Sequence, residues 1–113
     1  LFIGGTMVIL EFSVVPVGTG ETSVSEYVAK ACKAIESSGV RYMITPMGTI
    51  IETDAIEKAF EVVRKTHEAV FEAGAKRVIT TIKIDDRRDK KRKMEDKVDK
   101  LKEMGVSVKS PSK

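Results

Sequence analysis

The chain has 113 residues, 42% of them hydrophobic, and sets 20 basic against 17 acidic side chains for a net charge of +3. This length and composition describe one domain with one core, and so balanced a charge does not single out a nucleic-acid partner. No apolar run approaches the ~20 residues that span a bilayer, and the one cysteine, Cys32, has no partner for an internal disulfide. The expectation is a soluble protein in a reducing compartment, the cytoplasm.

The opening "LFIGGTM" lacks the basic start, continuous apolar stretch and cleavage site of a secretory signal. Met7 is expected to be the natural start, with Leu1 to Thr6 a leader or an appended segment. From Met7 to Val15 the chain alternates: Val8, Leu10, Phe12 and Val14 share one face, and Ile9, Glu11, Ser13 and Val15 the other. That is a strand with one buried face and one partly apolar face. "PVGTGET", Pro16 to Thr22, is a loop by composition. Ser23 and Glu26 then form a capping-box pattern, and Val24, Val28, Ala31 and Ile35 follow at helical spacing until Gly39.

Arg41 to Thr45 and Thr49 to Thr53 are two short β-prone runs around Pro46-Met47-Gly48, which reads as a hairpin tip. Asp54 with Glu57 is a second capping pattern, and Ile56, Phe60, Val63, His67, Val70 and Phe71 trace a stripe down a helix that ends at Gly74. Lys76 to Ile84 is a final strand rich in β-branched residues. Beyond it, Met94, Val98, Leu101 and Met104 mark one narrow stripe on a highly charged helix, expected to be solvated and to dock by that stripe. Residues 105–113 are expected to be a flexible tail.

The order β-α-β-β-α-β, with the charged helix added, is that of an α+β ferredoxin-like fold: a four-stranded antiparallel sheet with helices on one face. The first and third strands are then central. Two helices leave the second sheet face open, and the fourth strand is a long edge without proline, so self-association is expected.

Catalytic constellations are scarce. His67, the only histidine, lies on the apolar stripe of its helix and reads as a hydrogen-bonded core residue. Cys32 lies beside the buried stripe of its helix, away from the helix N-terminus that would activate it. One His, one Cys and the adjacent pair Asp85-Asp86 offer no metal-ligand spacing. "GTGETS" lacks the lysine and spacing of a phosphate loop. It reads either as a glycine turn entering a helix or as amides offered to an anion, with Glu21 and Glu26 opposing the second reading.

The segments "ILEFSVVPVGTGETSVSEYVAKA", "YMITPMGTIIE" and "HEAVFEAGAKRVITTIKIDDRRDK" resemble the small thiamine-binding protein family of the YkoF-like group, over Met7 to about Lys102. Departures are the leader, the basic run "KKRK" and the tail. The resemblance implies a single ferredoxin-like domain over residues 7–104, dimers assembling into tetramers through their sheets, and binding of thiamine or its hydroxymethylpyrimidine portion without catalysis or a cofactor. An aminopyrimidine offers ring-nitrogen acceptors and an N–H donor, so its pocket needs hydroxyls, amides or a carboxylate beside apolar walls. Thr45, Met47, Gly48 and Thr49 supply that mixture at the hairpin, and Glu11 and Ser13 supply it on the open sheet face. Strand packing also explains the threonines, and pairing with Lys83 also explains Glu11. Two other classes fit the fold. An acyl-phosphate hydrolase needs an arginine in a phosphate loop and an asparagine, and the chain has no asparagine. A nucleic-acid module needs aromatics on its strands, where only Phe12 and Tyr42 occur.

Overall fold

The computed structural model describes residues 7–20, 25–89 and 95–107. The expected leader, Ser23 of the first capping box, the "KKRK" run, Met94 and residues 108–113 of the tail lie outside them. The elements run β1 (Met7–Pro16), α1 (Ser25–Ser37), β2 (Arg41–Thr45), β3 (Gly48–Thr53), α2 (Ile56–Glu72), β4 (Val78–Arg87) and α3 (Asp96–Glu103). The antiparallel sheet has the order β2-β3-β1-β4, so β1 and β3 are central. This is the ferredoxin-like arrangement that the element order predicts.

Alternation along β1 sets the two faces. Val8, Leu10 and Phe12 are buried beneath the helices, with Ile51 of β3 and Ala59, Val62 and Val63 of α2 around them. Glu11 and Val15, on the opposite face, are exposed. β4 begins two residues later than expected and runs on through Asp85, Asp86 and Arg87. Its partner decides this: Met7, Val8 and Ile9 of β1 pair with those three residues, and the ladder outweighs the poor β-propensity of aspartate.

The helices depart from the expected pattern in three ways. On α2 the buried positions are Ala59, Val62, Val63, Thr66 and Val70, whereas Phe60 and Phe71 are exposed. The stripe is therefore rotated from the expected one, because small residues allow the helix to approach the sheet where phenylalanine would hold it off. Ala55, not Asp54, is the N-cap of α2, and no side chain caps it; Thr53 Oγ1 donates instead to the Ala55 carbonyl at 2.8 Å. On α3, Val98, Leu101 and Met104 are all exposed, so these three positions of the expected stripe are not docked against the rest of the described chain.

The hairpin between β2 and β3 turns on Pro46 and Met47, with Thr45 opposite Gly48. Neither turn residue has positive φ, so this is not one of the primed turns that two-residue hairpins favour. Thr45 supplies what the turn geometry lacks. Its Oγ1 accepts from the amides of Met47 (3.2 Å) and Gly48 (3.1 Å) and donates to the Gly48 carbonyl (2.8 Å). Gly48 itself opens β3, and its role is close approach: a Cβ there would lie 2.9 Å from the Phe12 carbonyl oxygen.

Two stability changes follow from this contact set. Gly48→Ala forces β1 and β3 apart and is expected to cost about 1–3 kcal/mol; an unchanged urea midpoint would contradict the close approach. Thr45→Val removes the hydroxyl at constant shape and is expected to cost about 0.5–1.5 kcal/mol. Amide exchange should accelerate at Met47 and Gly48, and unchanged protection there would contradict the role given to Thr45.

Candidate functional site

α1 packs against α2 more than against the sheet. The helix-side face of β2 is consequently left uncovered, and Ile44, which shares a register row with Thr49 and Phe12, is 48% exposed. Between that strand and α1 lies a cavity of about 260 Å³. Its walls are apolar: Phe12 and Val14 of β1, Val28, Ala31 and Ile35 of α1, and Ile44, Pro46 and Met47 of the hairpin.

Few polar groups reach it. Thr49 is nearly buried, faces the helices beside Phe12, and its hydroxyl makes no hydrogen bond among the described residues. Thr66 on α2 donates to the Val62 carbonyl at 2.8 Å, which uses its proton and leaves acceptor capacity. Cys32, half-buried, adds a thiol. Apolar walls with a small number of placed polar groups are the usual make-up of a small-molecule site.

Of the residues singled out from sequence, Ser13, Thr45, Met47, Gly48 and Thr49 all line this cavity. Ser13, Thr45 and Gly48 belong by strand alternation to the opposite face and border the cavity at the end of the sheet. Met47 is 84% exposed at the hairpin tip. Glu11 is not among the lining residues. It sits on the open face directly between Ile50 of β3 and Lys83 of β4, in register with both. Among the described residues, Glu11 makes neither a hydrogen bond nor an ion pair within the protomer.

Among the lining residues that sequence reasoning did not assign to a site are Val28, Ala31 and Cys32 of α1, Ile44 of β2 and Thr66 of α2, and only the placement of the helices across from the hairpin reveals them. His67 stands apart from the cavity, half-buried, with Nδ1 2.7 Å from Thr80 Oγ1 and its ring edge-on to Phe71. It ties α2 to β4. The open face ends in an ion-pair cluster in which Arg41 Nη1 donates to Glu52 at 2.9 Å and Nη2 to Glu95. The hydrogen bond to Glu95, then the charge of Glu52, hold the Arg41 guanidinium above its ordinary value. No group of three or more His, Cys, Asp or Glu among the described residues is placed to hold a metal ion. No helix among them is long and apolar enough to cross a membrane.

Comparison with known proteins bears on the same segments. The chain is 48% identical over 97 residues to a UPF0045 protein of Methanothermobacter thermautotrophicus, spanning 86% of this chain and 98% of that one. It is 41% identical over 99 residues to the UPF0045 protein YqgV of Bacillus subtilis, spanning 84% and 94%. Among solved structures, a domain of unknown function, DUF77, from Bacillus cereus superposes with a TM-score of 0.73 at 36% identity, over 81% of this chain and 86% of that one. A candidate thiamine biosynthesis/salvage protein of Thermotoga maritima superposes with a TM-score of 0.68 at 28% identity, over 84% and 98%. A family model described as thiamine-binding protein matches residues 10–102, from the middle of β1 through α3. The chain belongs to the thiamine-binding protein family.

Proposed function

We propose that the protein is a non-catalytic binder of thiamine or its hydroxymethylpyrimidine moiety, and that the ring enters the cavity between α1 and the β2–β3 hairpin. The supporting observation is the Thr49 hydroxyl, held nearly buried and without a partner among the described residues, against apolar walls. A hydroxyl so placed both donates to a ring nitrogen and accepts from an exocyclic amine. Phe12, Ile44 and Met47 supply the surface against which a flat ring packs. At about 260 Å³ the cavity falls just below the ~300 Å³ at which pockets for drug-sized ligands begin. One ring suits it better than two linked rings.

The reading includes a homo-oligomer, dimer or tetramer, in the cytoplasm. The open sheet face supports assembly. Val15 and Ile79 are exposed there on the same face as the Glu11–Lys83 row, and β4, 10 residues long, has one edge without a strand partner among the described residues. Glu11 then serves assembly rather than the ligand, by pairing with a cation across the interface. Cys32, without a disulfide partner, suits a reducing compartment.

Titration calorimetry with thiamine and hydroxymethylpyrimidine, beside an unrelated heterocycle, is expected to give heat for the first two only. Thr49→Val should weaken that binding by roughly 0.5–1.5 kcal/mol while the fold survives. Absence of binding at millimolar ligand would end the ligand assignment, and an unaffected variant would move the ring away from Thr49. Assembly is checked separately by sedimentation equilibrium. Wild type is expected to exceed the 12.5 kDa protomer, and Glu11→Gln to shift the equilibrium toward it with ligand affinity per folded protomer unchanged; a monomeric wild type at high micromolar concentration would contradict this.

A further inference from the structure

A second, smaller cavity of about 140 Å³ is lined from the same two segments as the first: Gly18 and Tyr27 line the small one, Val15 and Val28 the large one. Its chemistry is the reverse of its neighbour's. It is lined by Gly18 and Thr19 after β1, Tyr27 of α1, and Gly74, Ala75 and Lys76 between α2 and β4. That set brings one ammonium group and two hydroxyls and contains no carboxylate. Among the described residues Lys76 makes no ion pair and the Tyr27 hydroxyl no hydrogen bond. The two glycines put no side chain into the space.

A cation without an ion pair among the described residues, beside a hydroxyl without a hydrogen bond among them, is suited to a compact anion in a small concave site, and a lysine ammonium binds phosphate as a point charge. Of the two carboxylates that the sequence sets near this loop, Glu26 is exposed and does not line the cavity, and Glu21 lies outside the described residues. The larger cavity holds one ring, so the remainder of a two-ring ligand has to lie outside it. In thiamine that remainder is the thiazolium with its hydroxyethyl arm, whose oxygen is the position that carries phosphate. We propose that the small cavity binds the phosphate group of a phosphorylated ligand whose pyrimidine occupies the large one, so that the protein prefers thiamine phosphates to thiamine. The inference rests on the thiamine-binding reading above. It adds a second binding element, with Lys76 as its charge and Tyr27 as its hydrogen-bond donor.

Calorimetric titration of the full chain with thiamine and with thiamine monophosphate, in wild type, Lys76→Ala and Tyr27→Phe, separates the two levels of the reading. Wild type is expected to bind the monophosphate about tenfold more tightly than thiamine, as charge-assisted contacts allow. Lys76→Ala should abolish that preference and leave thiamine affinity unchanged, Tyr27→Phe should reduce the preference, and added salt should shrink it in wild type. Lys76 and Tyr27 are not core residues, so both variants are expected to keep the far-ultraviolet spectrum of the wild type. Thiamine binding without a monophosphate preference, or a preference that survives Lys76→Ala, would overturn the phosphate site alone. Failure of both ligands to bind wild type would overturn the thiamine reading and the phosphate site with it.

Discussion

The packing of α1 on α2, rather than squarely on the sheet, is the constraint from which the rest of the site follows. α2 covers the central strands through Ala59, Val62 and Val63, and its contact with Val8, Leu10 and Phe12 closes the core. α1 extends the helical layer but leaves β2 bare on that side, with Tyr42 and Ile44 exposed. Apolar surface left beside a concave wall is costly in water, and a flat heterocycle that displaces the water recovers that cost. The hairpin that frames this opening is built for rigidity. Thr45 ties the turn to itself, and Gly48 lets β3 approach the Phe12 carbonyl so closely that no other residue fits without a shift.

This arrangement separates tasks between residues that look alike in the sequence. Thr45 and Thr49 stand four positions apart on either side of the turn, yet the first spends its hydroxyl on the hairpin and the second holds its hydroxyl toward the cavity. A hydroxyl already committed to two amides and a carbonyl has little left for a ligand, whereas a free one beside apolar walls gains most from a partner. The same contrast holds between Glu11 and Glu52 on the open face. Glu52 is buried against Arg41, and Glu11 is exposed beside Lys83 in the neighbouring register row. The sheet thus has one face with a cavity beside the helices and one open face with an exposed carboxylate in register with a lysine.

Much of the framework was legible in the sequence because it rests on short-range periodicity. Strict alternation from Val8 to Val14 placed one face of β1 against the helices, and the element order placed β1 and β3 at the centre. Periodicity failed where size mattered more than hydrophobicity. Phe60 and Phe71 belong to the apolar sequence stripe of α2, but Ala59 and Thr66 take the buried positions because the close contact has room only for small side chains. The α3 stripe had helical spacing, but Val98, Leu101 and Met104 meet no surface among the described residues. Five of the six candidate site residues converge on one cavity, four of them flagged by hairpin chemistry and Ser13 by its place on β1. Val28, Ala31 and Cys32 did not stand out, since their contribution depends on where α1 crosses the sheet, and no local pattern encodes that crossing.

The central claim is the location of the ring, and nitrogen–proton correlation spectra recorded during titration with hydroxymethylpyrimidine test it most directly. The account predicts shifts confined to the amides of Phe12–Val15, the hairpin from Ile44 to Thr49, and the facing turn of α1 around Val28–Cys32. Saturable shifts centred instead on Ile9, Glu11 and Lys83, with the hairpin unmoved, would place the ligand on the open sheet face and contradict it.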